Sequence, residues 1–90
     1  MIPAGGKAVI EVIVVNFNAG DALTRCVSSV LSEKVSARVT VVDNASTDGS
    51  AGRLEHALGG SGRLKIIASA ENQGFARAVN AAVAQLDEDA

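Results

Sequence analysis

Apolar residues alternate along the chain between short continuous runs and helical spacings. The first run covers residues 7–16 (KAVIEVIVVN) and is rich in Val and Ile, as in a strand buried on both faces of a parallel sheet. We predict a helix after this strand, with Asp21 as its N-cap and an end near Lys34. Its apolar positions, spaced by three and four residues, are Leu23, Cys26, Val27, Val30 and Leu31.

The same pattern then occurs a second time. Residues 38–43 (RVTVVD) predict a strand, and the polar residues 44–49 predict a loop that enters a second helix. Ser46 or Thr47 is the expected N-cap of that helix, because a hydroxyl can accept a bond from a free helical N–H. The glycine-rich residues 59–62 end the helix, whose apolar positions are Ala51, Leu54 and Leu58.

A third repeat completes the chain. Residues 63–69 (RLKIIAS) predict a strand, residues 70–74 a loop, and the following spacing predicts a helix that ends near residue 87. The apolar positions of this helix are Phe75, Ala78, Val79, Ala82, Val83 and Leu86. The fold class is therefore α/β, with the order β-α-β-α-β-α and a small parallel sheet joined by right-handed crossovers.

Ninety residues correspond to one small domain. We expect residues 1–90 to be a single truncated domain, one half of a larger sheet, with residues 87–90 as a frayed acidic tail. A complete miniature α/β domain is the alternative, and it is less favoured because it would leave an edge strand poorly covered.

Composition and charge exclude several function classes. The net charge is −2 and there is no Trp or Tyr, which argues against binding to nucleic acid. One cysteine and one histidine make neither an internal disulfide nor a typical zinc site. No apolar run is long enough to span a membrane, and the first residues do not resemble a signal peptide, so we expect a cytoplasmic location.

Polar residues gather where each predicted strand ends, which is the edge where ligands bind in open α/β sheets. They follow the first strand at residues 16–18, the second at residues 43–48 and the third at residues 71–74. Each loop leads to a helix N-terminus, where free N–H groups favour an anion. Neither GxGxxG nor GxxxxGK[ST] is present, which disfavours a dinucleotide-binding domain and a P-loop NTPase.

Asp43 is the most informative of these residues, and two interpretations are open. Its carboxylate could accept hydrogen bonds from a ribose hydroxyl or a base N–H, or it could cap the next turn together with Asn44. Asn16, Asn18 and Asn44 carry the same ambiguity, since Asn is common in turns. Cys26 lies on the apolar stripe of the first helix and is expected to be a buried thiol.

Three segments together resemble a known family. VIVVNFNAGDALTRCVSSVL, VTVVDNASTDGS and KIIASAENQGFARAVNAAV resemble the amino-terminal part of the family 2 glycosyltransferases, which have the GT-A fold. The resemblance covers residues 9 to about 84. The third segment is similar to the rhamnosyltransferase-like branch, whose loop reads N-x-G-F-A followed by an Asn. The corresponding residues are Asn72, Gly74, Phe75, Ala76 and Asn80.

This resemblance implies a site for a nucleotide diphosphate sugar, with UDP- or dTDP-sugars expected first. It implies that residues 16–18 lie beside the nucleoside, that Asp43 bonds to it, and that residues 72–74 close over the nucleobase. Arg77 is a weaker candidate for contact with the nucleotide, and Asn80 would hold the loop at residues 72–74 in place. The implied nucleotide-binding residues are Asn16, Phe17, Asn18, Asp43, Asn44, Asn72, Gly74 and Arg77.

The resemblance also implies parts that this chain does not carry. In the family, a DxD motif after a fourth strand binds Mg²⁺ or Mn²⁺, whereas residues 87–89 spell DxD directly after a helix. We assign no metal ligand and no catalytic residue, and we expect the 90 residues alone to be inactive in an inverting sugar transfer. Two alternatives stay open. One is a receiver- or flavodoxin-like interaction module, although residues 16–18 lack the acidic pair of a receiver. The other is a fragment with no binding function of its own, which could pair through exposed sheet edges into a homodimer.

Overall fold

The computed structural model describes residues 9–33 and 36–89. Strands and helices alternate, which confirms the predicted order and the α/β class. The elements are β1 (Ile10–Asn16), α1 (Asp21–Ser32), β2 (Ala37–Asp43), α2 (Ser50–Leu58), β3 (Leu64–Ala68) and α3 (Gly74–Asp89).

The three strands form one parallel sheet in the order β1-β2-β3, so β2 lies in the centre. The register pairs Asn16 with Asp43 and Asp43 with Ala68, at the carboxyl end of each strand. The last residues of the strands therefore lie in one row. The loops that follow them meet at one edge of the sheet, as the sequence predicts.

The helices cover the two faces of the sheet unequally. On one face, Val39 and Val41 of β2 form a core with residues of α1 and α2, among them Val27 and Leu54. On the other face, Val42 packs against two alanines of α3, Ala78 and Ala82. Alternate side chains of a strand point to opposite faces, and both faces of the central strand β2 are buried. The nearly continuous apolar run of residues 7–16 predicted burial on both faces, whereas β1 lies at the edge of the described sheet and its residues 11–15 are only half-buried.

The helix starts differ from the predictions. Gly20, with φ of 62°, precedes α1, and Asp21 is the first helical residue rather than its cap. α2 begins only at Ser50, after Gly49 with φ of 78°, so the predicted caps Ser46 and Thr47 are wrong. α3 continues through residues 87–89, further than its apolar spacing indicates. Lys34 and Ala90 lie outside the described residues.

Two side chains in these elements bear on the interpretation of the sequence. Cys26 is exposed, because α1 buries only the narrower stripe of Leu23 and Val27, so the prediction of a buried thiol is wrong. Glu11 lies inside β1 and pairs with Arg38 on the neighbouring strand, which explains a charge within an apolar run. None of the helices in the described part of the chain could cross a membrane.

Candidate functional site at the carboxyl edge of the sheet

Four polar residues are buried together where β1 and β2 end. Asn16, Asp43, Asn44 and Ser50 are all less than one tenth exposed. A buried polar group costs free energy unless it is hydrogen-bonded. Their hydrogen bonds therefore show which atoms are already engaged within the protein and which are not.

The Asn16 side chain lies at the centre of this group. Its Nδ2 is 2.8 Å from Asp43 Oδ1, 2.9 Å from Ser50 Oγ and 3.1 Å from Ser46 Oγ, so two N–H groups serve three acceptors. Its Oδ1 accepts the backbone N–H of Ala19 at 3.2 Å. The structure thus turns this side chain inward, among residues of the protein.

The Asp43 carboxylate is engaged mainly through one oxygen. Oδ1 accepts from Asn16 and, at 2.6 Å, from the Ser46 hydroxyl. Oδ2 receives only a long contact of 3.4 Å from the Ser46 N–H. The turn-capping geometry is therefore present in the structure. Because a carboxylate oxygen can accept more than one bond, Oδ2 keeps capacity for another donor.

Asn44 carries an acceptor atom without a partner. Its Nδ2 donates to the carbonyl oxygen of Gly74 at 3.2 Å, which brings the second loop against the start of α3. Its Oδ1 is buried and has no hydrogen-bond partner. An unsatisfied buried acceptor costs about 1–3 kcal/mol. A donor group supplied by another molecule would remove that cost if it could reach the atom.

The third loop is held by local bonds. Asn72 Oδ1 accepts the N–H of Gly74 at 2.8 Å, and Gly74 has φ of 80°. Gln73 Nε2 donates to Ser69 Oγ at 2.7 Å. Asn72 and Arg77 are exposed. The structure therefore brings residues 72–74 next to Asn44 and leaves Arg77 on the first turns of α3, facing solvent.

The first and second loops are bonded to each other. The N–H of Asn18 donates to Ser46 Oγ at 2.9 Å, and Asn18 Oδ1 accepts the N–H of Thr47 at 2.7 Å. Asn18 itself adopts φ of 52°, a left-handed conformation that Asn tolerates better than most residues. Phe17 lies between these anchored neighbours with 53% of its surface exposed. Its ring is available at the edge of the site.

Asp48 joins the same two loops, and the sequence interpretation did not assign it a role. Its Oδ2 accepts the N–H of Gly20 and its Oδ1 that of Ser50, both at 2.9 Å. Bonds from the Ser50 hydroxyl and then from the Ser50 N–H lower the pKa of the Asp48 carboxyl below its ordinary value. The Gly20 N–H and the Arg53 guanidinium act in the same direction, and desolvation opposes them.

Residues Ser46 and Ser50 complete the network, and the sequence interpretation treated Ser46 only as a possible cap. The available signal was the polar sequence of residues 43–50 (DNASTDGS) directly after a predicted strand, which contains both serines. Across the described parts of the chain, there is no group of three or more His, Cys, Asp or Glu side chains that could hold a metal ion.

A cavity of about 510 Å³ lies at the opposite, amino-terminal end of the sheet. Its charged side chains are engaged with the protein itself. Arg38 pairs with Glu11, and the Arg63 guanidinium donates to the carbonyl oxygens of Ala37 and Leu31. These bonds account for the two arginines as structural groups, so the carboxyl edge is the better candidate site.

Comparisons with known proteins agree with the fold and the resemblance of the sequence. The model of the family described as glycosyl transferase family 2 matches residues 11–90. A curated relative, the succinoglycan biosynthesis protein ExoU of Rhizobium meliloti (strain 1021), is 45% identical over 67 residues. That match covers 74% of this chain, which spans about a fifth of the relative's length. No solved structure matches the chain significantly. The family match sets aside the receiver- or flavodoxin-like alternative.

Proposed function

Because this chain belongs to glycosyl transferase family 2, we propose that the carboxyl edge of its sheet binds the nucleoside of a nucleotide diphosphate sugar. One observation carries the proposal. An exposed aromatic ring, Phe17, and a buried acceptor without a partner, Asn44 Oδ1, lie on the loops that follow adjacent strands. An aromatic surface and a few unsatisfied polar atoms are what a nucleobase site needs.

The structure supports different roles for the predicted residues. The Phe17 ring would stack on the base, and Asn44 Oδ1 would accept a base N–H after a small shift of the loop. Asp43 Oδ2 would accept from a ribose hydroxyl. Asn16 would act by holding Asp43, because its own polar atoms are engaged within the protein.

The outer parts of the site are proposed from their exposure and position. Asn18 lies beside Phe17, and residues 72–74 lie beside Asn44, so both would border the bound nucleoside. Arg77 is exposed near the start of α3, and in this proposal it would approach the diphosphate, where its charge would be favourable.

The transfer itself is proposed for a longer protein that contains this domain. It would move a sugar from a UDP- or dTDP-sugar to a hydroxyl acceptor with inversion, without a catalytic group from these 90 residues. Mg²⁺ or Mn²⁺ would be held by ligands outside the described residues and would neutralise the leaving diphosphate. The N-x-G-F-A sequence at residues 72–76 supports the rhamnosyltransferase-like branch. A cytoplasmic location belongs to the same proposal, and the lone cysteine is compatible with it.

An amide NMR titration with UDP, dTDP and GDP tests the nucleotide site. We expect shifts confined to residues 16–20, 43–48 and 72–77, and a Phe17→Ala variant with weaker shifts at every nucleotide concentration. The control is Val83→Ala, which shortens an apolar side chain that is 43% exposed on α3, nine residues beyond the start of the helix and outside the ranges expected to shift. Shifts at the amino-terminal cavity, or none with any nucleotide, would show that the proposed site is wrong.

Self-association through β1 is a second proposal. β1 lies at the edge of the sheet formed by the described strands, and Val9 and Ile10 at its start are 48% and 49% exposed. An edge strand with exposed apolar residues is a template for pairing with another copy of the chain. Light scattering at increasing concentration should show a dimer that an Ile10→Lys variant abolishes. A monomer at all concentrations would remove this proposal.

A further inference from the structure

The loop between β1 and α1 is attached to the loop between β2 and α2 through every second residue. Asn16 donates to Ser46, Asn18 bonds to Ser46 through its N–H, and the Gly20 N–H donates to Asp48. Residues 17–19 are all exposed, and the Ala19 N–H bonds within the first loop, to Asn16 Oδ1. Phe17 therefore lies between two neighbours that are anchored to the second loop.

Asp48 makes the attachment that lies farthest along the first loop. Its two carboxylate oxygens bridge Gly20 and Ser50, so one side chain connects the residue before α1 with the first residue of α2. Gly20 has φ of 62° and no Cβ. Its carbonyl oxygen accepts the Leu23 N–H at 3.4 Å in the first turn of α1, and the bond to Asp48 attaches its N–H to the second loop. Asp48 is also outside the set of residues that we propose to touch the nucleotide.

We infer that Asp48 is a positioning residue, which holds residues 17–20 against the second loop so that the Phe17 ring faces the nucleoside. This inference rests on the proposed nucleotide site. Asp48 itself contacts no ligand. Without its carboxylate the Gly20 N–H loses its partner, the first loop samples more conformations, and binding must order it again. The lost preorganisation would appear as a lower affinity for nucleotides.

A double-mutant cycle in UDP affinity tests this role. We expect Phe17→Ala to weaken UDP binding about tenfold, as loss of a stacked ring does. Asp48→Ala should weaken it about threefold to fivefold, and the double variant should bind no more weakly than Phe17→Ala alone. Two residues that act through one interaction are not additive, whereas a general loss of stability would add to the effect of Phe17→Ala.

Two further variants serve as controls. Asp48→Asn keeps one acceptor oxygen, so its affinity should lie between those of the wild type and Asp48→Ala. Asp21→Asn makes the same change of charge at a nearby side chain that is 77% exposed, and its affinity should stay within about twofold of the wild type. An equal loss in Asp21→Asn would assign the effect to charge and overturn the positioning role.

Hydrogen exchange of the Gly20 amide in the ligand-free protein separates the two proposals. Asp48→Ala should exchange this amide faster than the wild type. Unchanged exchange, or fully additive effects on UDP affinity, would overturn the positioning role and leave the nucleotide site standing. A wild-type protein that binds no nucleotide would overturn both.

Discussion

Asn16→Asp is the sharpest test of the buried network, because it changes one atom of a side chain at its centre. In the wild type, Asn16 Nδ2 donates to Asp43, Ser46 and Ser50 over distances of 2.8, 3.1 and 2.9 Å. The variant replaces this donor with an oxygen. It therefore places a second carboxylate against Asp43, at a position that is 1% exposed.

The magnitude follows from charge and distance. Two unit charges about 4 Å apart repel by about 4 kcal/mol at an effective dielectric constant of about 20. Each lost hydrogen bond adds about 0.5–1.5 kcal/mol. A domain of this size is stable by about 5–15 kcal/mol, so we expect a loss of at least about 4 kcal/mol at neutral pH, a large part of the total.

The stability of Asn16→Asp should depend on pH, and the pKa of the introduced carboxyl sets the direction of this dependence. Repulsion and burial raise the pKa of the introduced carboxyl in the folded state, so the folded variant binds protons more readily than the unfolded chain. The loss of unfolding free energy in Asn16→Asp, relative to the wild type, should be largest at neutral pH and should shrink as the pH falls through this raised pKa. Protonation removes the repulsion and restores one donor toward Asp43.

Urea unfolding followed by circular dichroism, at several pH values between about 4.5 and 7.5, measures this difference. Asn18→Asp is the matched control. It makes the same change two residues away at an exposed side chain whose acceptor role toward Thr47 is retained, and it should cost less than about 0.5 kcal/mol. A loss below about 1 kcal/mol in Asn16→Asp, or one that does not vary with pH, would refute the network as described.

Three further variants test other parts of the structure by urea unfolding. The folded state lowers the pKa of Asp48 below 3.8, so the ionised carboxylate stabilises the fold at pH values above 3.8. Asp48→Asn should therefore have a lower free energy of unfolding than the wild type at neutral pH, and this difference should disappear as the pH falls through the lowered pKa of the folded state. Leu54→Ala, at a side chain with 0% exposure, should cost about 2–5 kcal/mol, and a loss below 1 kcal/mol would contradict the packing of α2. Gly49→Ala, at φ of 78°, should cost about 1–2 kcal/mol, whereas Gly60→Ala, which meets no atom within 4 Å, should cost under about 0.5 kcal/mol.

The order of the elements could be predicted because each type of element has its own apolar period. β2 carries Val39, Val41 and Val42, which are buried on the two faces of the sheet, and α3 buries Ala78 and Ala82 at the spacing of one helical turn. The exposure of Cys26 could not be predicted from this spacing of apolar residues. Periodicity shows which residues could face a core, but the width of the buried stripe depends on the partner that packs against the helix.

The helix caps were wrong for a related reason. Ser46 and Thr47 have the residue types of caps, but tertiary partners use their polar groups. The Ser46 hydroxyl bonds to Asp43 and Asn16, and the Thr47 N–H bonds to Asn18. Asp43 is only three residues earlier, at the end of β2, whereas Asn16 and Asn18 come from β1 and its loop, 30 and 29 residues earlier in the chain. Local propensity contains no information about such contacts.

The location of the site was predictable, but the direction of its side chains was not. The carboxyl edge follows from the parallel topology alone. Strand alternation places Asn16 on the same face as Val12 and Val14, which pack against the core formed with α1 and α2. Once that face is known, the inward direction of Asn16 follows. The sequence alone did not show which face the helices cover.

Hydrogen-bond satisfaction then divides the site residues into two groups with different consequences for binding. The polar atoms of Asn16 are all engaged, so a nucleotide could use them only by breaking bonds that already hold the loops together. Asn44 Oδ1 has no partner, and Phe17 is half exposed, so a ligand could use both without such a loss. Substitutions in the first group should therefore act on stability before affinity. Substitutions in the second group should act on affinity at nearly constant stability, and measuring both quantities for Asn16 and Phe17 variants distinguishes the two groups.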